Sequence, residues 1–172
     1  SKLAAFSAQS HRGLDQPLRR AGLPYPPSEL ALLVFKRSHQ LQVYAHEKGA
    51  PWRFIKPYFV YGESGGVGPK LHQGDNQVPE GIYQIVGLNP LSQFDLSMHI
   101  DYPNVFDRAV AKQDGRDHLG GDIYIHGSRQ SVGCIAIGND GIQELFPLVA
   151  ATGIHRVRVI IAPNDFRLHP PV

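Results

Sequence analysis

The sequence predicts a mostly β domain with one or two short helices. Short apolar runs, many of them alternating with polar residues, recur from residue 30 onward, and turns containing glycine or proline separate them. One later stretch, Gly141 to Ala151, has the apolar spacing of an amphipathic helix. With 172 residues, 42% of them apolar, the chain is long enough for one domain with a real core.

The first 27 residues differ from the rest of the chain. We predict an N-terminal arm or linker at residues 1–27 and a single domain at residues 28–172. Apolar residues in the arm have weak helical spacing that Gly13 and Pro17 interrupt, and the proline-rich run Pro24 to Pro27 closes it. Two interpretations stay open for this segment, a short helical arm and a poorly ordered tail.

Three strands are predicted next. Leu30 to Phe35 and Leu41 to Tyr44 form a hairpin across a polar turn. Trp52 to Tyr61 is a third strand, and Pro51 and Pro57 favour an edge position or a break because proline cannot donate a hydrogen bond to a neighbouring strand. The glycine-rich stretch Gly62 to Gln77 is either a substrate-facing loop or an ordinary long connection. No Gly-Lys-Ser/Thr follows it, which argues against a phosphate-binding loop.

Further strands are predicted at Gly81 to Leu88, at Leu96 to Ile100 and around Tyr124. The polar segment Asp101 to Gly121 predicts a loop or a short helix. We expect this segment and the Gly62 to Gln77 loop to flank the functional site, because binding loops are usually mounted on a rigid scaffold.

The predicted helix has recognisable ends. Asn139-Asp140 offers a side-chain cap for its first turn, and Gly153 is a good residue to end it. Pro147 lies inside Gly141 to Ala151 and predicts a kink or an early end. Alternating apolar residues then predict a last strand at His155 to Ile161.

Composition excludes several classes of function. A net charge of +2, with lysine and arginine scattered, does not make a nucleic-acid-binding surface. No apolar run reaches the ~18 residues that a transmembrane helix needs. A metal site at His72, His99 and His118, with the histidine and cysteine described next, is the minor alternative, because closely spaced ligand pairs are missing. We therefore expect no metal and no cofactor.

The stretch Asp122 to Ile137 holds the only cysteine, Cys134, and a histidine eight residues before it, His126. Alternating apolar residues place His126 at the end of a strand, and Gly133 allows a tight loop before the cysteine. A thiol beside an imidazole makes a nucleophile–base pair, since an imidazolium lowers the thiol pKa. The plain alternatives are a buried structural cysteine and a core histidine.

His126-Gly127 followed by Ser131-Val132-Gly133-Cys134 resembles the signature of the L,D-transpeptidase (YkuD-like) family, cysteine enzymes that act on bacterial peptidoglycan. The resemblance runs from about Leu30 to the C-terminus and implies the family's β-sandwich-like catalytic fold. Many members have an arginine two residues after the cysteine, where this chain has Ala136. Further motifs resemble the YafK-like branch, namely Gly68-Pro69-Lys70, Gly74-Asp75, Pro79 to Tyr83 and Tyr102-Pro103-Asn104.

The resemblance implies roles for the residues of the signature. Cys134 is expected to be the nucleophile and His126 the general base. A base needs a third group to fix its tautomer, and the candidates are the Gly127 carbonyl and Ser128. The backbone N–H groups of Gly133 and Cys134 are expected to stabilise the oxyanion.

Five further residues are expected to bind substrate, namely Ser131, Arg129, Lys70, His99 and Tyr83. For Ser131 the alternative is a hydrogen bond within the loop. For Lys70 and Arg129, which with Arg116 could hold stem-peptide carboxylates, the alternative is a solvated surface charge. Sequence alone does not decide whether His99 reaches the site.

The resemblance also implies a substrate class. The thiolate attacks the carbonyl of the third-position diamino acid of a peptidoglycan stem peptide and forms a thioester. An amine then gives a cross-link or protein attachment, and water gives carboxypeptidase or endopeptidase chemistry. The YafK-like motifs favour hydrolysis, for example release of a peptidoglycan-linked lipoprotein. The family implies a periplasmic or cell-envelope location and a role in cell-wall biogenesis and cell shape. The alternative is a catalytically idle peptidoglycan-binding domain.

Overall fold

A computed structural model describes residues 2–62, 64–92 and 95–168 of the chain. Glu63, within the predicted glycine-rich loop, lies outside these ranges. The helices of the described part are α1 (Lys2–Arg20), α2 (Val105–Gln113) and α3 (Gly138–Thr152), with a 3-10 turn at Ile154–Arg156. The strands are β1 (Glu29–Phe35), β2 (Gln40–His46), β3 (Arg53–Phe59), β4 (Gly81–Ser92), β5 (Asp95–Ile100), β6 (Tyr124–His126), β7 (Ile135–Ala136) and β8 (Val157–Ala162). The mostly β fold class is confirmed, with more helix than predicted.

The strands form one curled sheet in the order β3-β2-β1-β8-β4-β5-β6-β7. β1 and β2 pair as the predicted antiparallel hairpin, whereas β1–β8 and β6–β7 are parallel pairs. The predicted edge position of the third strand is confirmed, because β3 with Pro57 ends this order. Just past β3, Gly62 bridges Ala136 of β7. The two ends of the curled sheet therefore meet beside the candidate site.

The strands form because their apolar residues alternate. In β2, for example, Leu41, Val43 and Ala45 are buried and the residues between them are half-buried. In β8, Val157 and Val159 are buried in the same way. Burying each large apolar side chain contributes roughly 1.5–3 kcal/mol, which is enough to fix the register of each strand.

Helix α1 departs most from the predicted arm. It continues through both Gly13 and Pro17 and packs on α3, with Leu14 and Leu18 fully buried. The interpretation as a poorly ordered tail is wrong, because tertiary packing compensates for the weak helical pattern. A Cβ atom at Gly13 would clash with the Glu144 carboxylate, so the two helices approach closely at this glycine.

The ends of the carboxyl-terminal helix also differ from the prediction. Gly138–Thr152 begins earlier and has no side-chain cap, and Asn139 Oδ1 instead accepts a hydrogen bond from the Ser128 N–H at 2.8 Å. The early end at Pro147 is wrong, since the helix continues for more than a turn beyond it. Gly153 follows with φ of 99°, as predicted for the residue that ends the helix. No described helix is both long and apolar enough to cross a bilayer.

Candidate active site

Strand pairing places Cys134 and His126 on one face of the sheet. Ile125 pairs with Ile135 and both point into the core, so His126 points to the opposite face. Cys134 immediately precedes Ile135 and faces the same side as His126. The backbone N–H of Tyr124 donates to the cysteine Sγ at 3.4 Å, which confines the sulfur beside the start of β6.

The imidazole has a defined tautomer. Nδ1 of His126 is hydrogen-bonded to the carbonyl oxygen of Gly127, and because a carbonyl only accepts, Nδ1 carries the proton. Nε2 therefore carries the lone pair, as a general base requires. Of the two expected partners the structure selects the Gly127 carbonyl. Burial lowers the pKa of His126, against the opposing effect of this hydrogen bond, so the ring is neutral at pH 7.

The thiol is also neutral at rest. Burial raises the pKa of Cys134, and the nearby Asp122 raises it further, while the Tyr124 N–H and the Lys70 charge oppose them. The sequence predicted a thiolate–imidazolium pair with a lowered thiol pKa, whereas burial raises the pKa of Cys134 and favours the neutral thiol. The sulfur receives a single N–H in a partly buried place, which is too little to stabilise a resting thiolate.

The backbone N–H groups that were expected to face the oxyanion donate hydrogen bonds to two serine hydroxyls instead. The Cys134 N–H donates to Ser131 Oγ at 2.9 Å, and the Ser131 hydroxyl donates back to the Cys134 carbonyl. The Gly133 N–H donates to Ser64 Oγ at 2.6 Å. Ser131 thus forms a hydrogen bond within the loop, which was the alternative to its predicted role in substrate binding. Ser64 could not be predicted as part of the site from the sequence, because it lies 69 positions from Gly133.

A small cavity opens beside the cysteine loop. Its volume is about 160 Å³, and its lining comprises four residues of one loop, residues 120–123 and the pair Val132-Gly133, the first four being Lys70, Gln73, Gly74 and Asn76. The first set belongs to the rim loop, which we define as residues 64–80. The second set includes the end of the predicted Asp101 to Gly121 segment. Both predicted flanking segments therefore border the site.

A buried ion pair holds the rim loop in place. Lys36, directly after β1, is 3% exposed, and its Nζ donates to the carbonyls of Gly68 at 2.9 Å and Val78 at 2.7 Å. The same ammonium lies 3.3 Å from a Glu80 carboxylate oxygen, which accepts the Gly68 N–H at 2.8 Å. A lysine that ends an apolar strand is the only hint of this pair in the sequence.

Lys70 is part of the loop and lines this cavity, and its predicted role as a carboxylate ligand stays a prediction. Its Nζ lies 2.8 Å from Asp75 Oδ1 and only 9% of the residue is exposed. Partial burial would raise the pKa of Asp75, but three backbone N–H groups and Lys70 hold it well below its usual range. The charge of Lys70 is therefore already balanced within the loop.

Arg129 and His99 were also predicted to bind substrate. Arg129 is exposed in the loop between His126 and Cys134, and its guanidinium lies 4.7 Å from the Tyr61 ring centre. The ring of His99 stacks on Tyr124 at 4.6 Å, beside the cysteine.

Tyr83 was wrongly predicted to contact substrate. It is 1% exposed and donates to Asp107 Oδ1 at 3.1 Å, so it belongs to the core. Ala136, at the position of the family's arginine, is fully buried and bonded to the backbone at Gly62.

Metal ligation has no support among the described residues. In residues 2–62, 64–92 and 95–168, no three His, Cys, Asp or Glu side chains lie close enough to share an ion. His72 and His118 are both exposed.

Comparison with known sequences identifies relatives of this chain. Residues 29–161 match the family model of the L,D-transpeptidase catalytic domain, YkuD. The chain is also 34% identical over 141 residues to YafK of Escherichia coli (strain K12), a match that covers 79% of this chain and 54% of that protein.

Solved structures agree with the sequence relatives. The helical cell shape determining protein Pgp2 from Campylobacter jejuni superimposes with a TM-score of 0.63 and 25% identity, covering 88% of this chain and 55% of that one. Bd1075 of Bdellovibrio bacteriovorus gives 0.56 and 25%, covering 80% and 49%. The chain spans about half the length of the relatives that it matches.

Proposed function

This chain belongs to the L,D-transpeptidase catalytic domain family, and on that premise we propose that it is a cysteine acyl-transfer enzyme acting on peptidoglycan stem peptides. One observation carries the proposal. His126, with Nδ1 fixed by the Gly127 carbonyl, shares a sheet face with Cys134 beside an open cavity. A structural histidine and a structural cysteine would not need a fixed tautomer, a common face and a cavity that borders the cysteine loop together.

The proposed reaction begins with a neutral pair. As the sulfur of Cys134 attacks the carbonyl carbon of the third-position diamino acid, the thiol proton passes to Nε2 of His126. The carbonyl oxygen becomes an oxyanion, and its collapse breaks the bond to the leaving amine. That amine takes the proton from His126, and a thioester on Cys134 remains. The same imidazole then accepts a proton from the incoming amine or water.

The neutral resting state suits this sequence of steps. Burial disfavours charge on both groups, so charge separates only while the sulfur attacks. The acyl carbonyl must then be polarised by hydrogen-bond donors at the same moment. A thiol that stays protonated in the absence of substrate is also protected from alkylation and oxidation, since the thiolate is the reactive form.

Substrate recognition is proposed to depend on the cavity and on Arg129. The cavity of about 160 Å³ beside Gly133 offers space for one side chain of the stem peptide. Because Asp75 balances the charge of Lys70, the exposed guanidinium of Arg129 is the better ligand for a peptide carboxylate. Arg129 lies in the same loop as Cys134, so a carboxylate bound there would fix the register of the peptide.

The fate of the thioester is open to both acceptors. An amine gives a cross-link and water gives hydrolysis, and the same His126 serves either one. We place the reaction in the periplasm or cell envelope, where stem peptides occur. Release of a peptidoglycan-linked lipoprotein has no separate support from the fold or the relatives. The competing proposal, an idle peptidoglycan-binding domain, predicts that no thioester forms.

The test is mass spectrometry of purified muropeptides incubated with the protein. We expect stem peptides shortened or joined at the third-position residue, and a thioester adduct on Cys134 at early times. Cys134→Ala should abolish both and leave the melting temperature nearly unchanged, because the side chain is only partly buried and alanine keeps its Cβ. Turnover retained by Cys134→Ala would refute the mechanism, and intact muropeptides with the unmodified protein would favour the idle domain.

A further inference from the structure

Ser64, in the rim loop, has a hydroxyl that neither the family signature nor the predicted site includes. Its Oγ accepts the Gly133 N–H at 2.6 Å, one residue before the nucleophile. A hydroxyl can accept and donate at once. Among the described residues Ser64 Oγ has this single hydrogen-bond partner, so its proton is available to a substrate atom. By contrast, the Ser131 hydroxyl both accepts from and donates to Cys134.

The position of Ser64 is fixed from both sides. Gly62, two residues before it, bridges Ala136, and a Cβ at Gly62 would lie 2.9 Å from the Arg129 carbonyl oxygen. Two residues after it, the Gly66 N–H donates to the Gln77 side chain at 2.7 Å. The described residues Gly62 and Gly66, on either side of Ser64, are thus both bonded to other parts of the chain. Such preorganisation is what a donor to a transition state needs.

We propose that Ser64 is a catalytic residue whose hydroxyl donates to the oxyanion, with the Gly133 N–H acting through it. This inference rests on the acyl-transfer function proposed above. The Gly133 and Cys134 N–H groups are both engaged by serine oxygens, and direct use of either one would break an existing bond. In the chain from N–H to hydroxyl to oxyanion, each bond strengthens the next, and none has to break.

The step balances without any further reactant. The sulfur of Cys134 bonds to the carbonyl carbon, the thiol proton moves to His126 Nε2, and the π electrons move to the oxygen. The Ser64 hydroxyl keeps its proton and only donates a hydrogen bond to that oxygen. When the tetrahedral intermediate collapses, the hydrogen bond weakens and the leaving group departs.

The test compares two reactions of Cys134 in the full chain. Acetylation by 4-nitrophenyl acetate forms an oxyanion, and the sulfur displaces nitrophenolate. Alkylation by iodoacetamide displaces iodide at a saturated carbon and forms none. We expect Ser64→Ala to slow acetylation by roughly 10²- to 10³-fold, the usual effect of removing one such donor. Alkylation should not change. Ser64→Thr, which keeps a hydroxyl, should recover most of the rate, and exposed Ser38→Ala serves as the matched control.

With a stem peptide as substrate, Ser64→Ala should lower kcat and kcat/KM equally, the signature of an interaction made only in the transition state. If Ser64→Ala is acetylated as fast as the unmodified protein or faster, the proposal is overturned. Ser64 would then only occupy a position that a substrate group takes during the reaction. Equal losses in acetylation and alkylation also overturn it and indicate a structural role.

The two proposals fail in different ways. A protein that is acetylated but leaves stem peptides intact refutes the peptidoglycan function and leaves the Ser64 result standing. A protein whose Cys134 is alkylated but never acetylated refutes both proposals.

Discussion

Helix α1 and the rim loop are both fixed by residues distant in sequence, but by different kinds of contact. Leu14 and Leu18 bury α1 against the core, so its position depends on apolar area. The rim loop depends on polar side chains that bond its backbone, with Lys36 and Asp75 at the centre of two networks. An apolar contact tolerates small shifts, whereas each hydrogen bond requires a narrow distance and angle. The loop that borders the nucleophile is therefore the more precisely positioned region.

The largest expected effect is on the chemical step, and it depends neither on α1 nor on the rim loop. His126→Ala should lower turnover by roughly 10²- to 10⁴-fold, because the thiol loses its proton acceptor. It should leave the packing of α1 and the Lys36 network intact. With the unmodified protein, kcat/KM should fall as the pH drops through the His126 pKa. That pKa lies below the ordinary value of ~6.5, because burial disfavours the imidazolium.

The pH dependence of alkylation tests whether Cys134 and His126 are neutral in the absence of substrate. Alkylation of Cys134 should be slow at neutral pH and rise only above the ~8.5 of an ordinary thiol, because burial raises its pKa. His126→Ala should leave this profile almost unchanged. Rapid alkylation below pH 7 that requires His126 would contradict the neutral pair and restore the thiolate–imidazolium state predicted from the sequence.

Removing the ammonium of Lys36 should test how far the rim loop depends on polar bonds. Lys36→Met leaves the carboxylate of Glu80 without its partner and the carbonyls of Gly68 and Val78 without their donor. Loss of one partner of a buried pair costs roughly 3–5 kcal/mol in unfolding free energy, and Glu80, 17% exposed, places this pair near the lower end.

Turnover by Lys36→Met should fall as well, since the same loop carries Ser64. Denaturant unfolding and muropeptide assays check both effects, with exposed Lys48→Met as the control. Wild-type turnover by a destabilised Lys36→Met would show that the loop does not position the site.

The smallest effect is expected at the helix. Gly13→Ala should gain about 1 kcal/mol of helix propensity, but the new methyl group displaces the Glu144 carboxylate. That carboxylate lies 2.6 Å from Lys56 Nζ and accepts the Tyr58 hydroxyl at 2.9 Å, so we expect a net destabilisation of about 1 kcal/mol. Turnover should not change.

A second background sharpens this prediction. In Glu144→Ala, where the clash is absent, Gly13→Ala should become stabilising by about 1 kcal/mol, which a double-mutant cycle of denaturant unfolding measures. A destabilisation that is the same in both backgrounds would assign the cost to the helix backbone and not to Glu144.

The sequence by itself determined the strands other than the short β7, and it predicted the pair of residues at the site. Alternation of apolar residues is a local property, and it fixes which face of each strand is buried. His126 and Cys134 are eight residues apart across a tight loop, which is why they could be predicted as a pair. The choice between Gly127 and Ser128 needed the direction of the ring, which the sequence does not contain.

Only the tertiary structure decided the remaining features, because each depends on residues far apart in the chain. The helical pattern of α1 was too weak to predict its burial, since the partner surface on α3 lies more than a hundred residues away. Tyr83 is buried because Asp107 offers its hydroxyl an acceptor. The neutral charges of Cys134 and His126 follow from burial, which is a property of the assembled fold. Ser64 reaches Gly133 because the curled sheet closes at Gly62 and Ala136, a long-range contact that no local pattern in the sequence encodes.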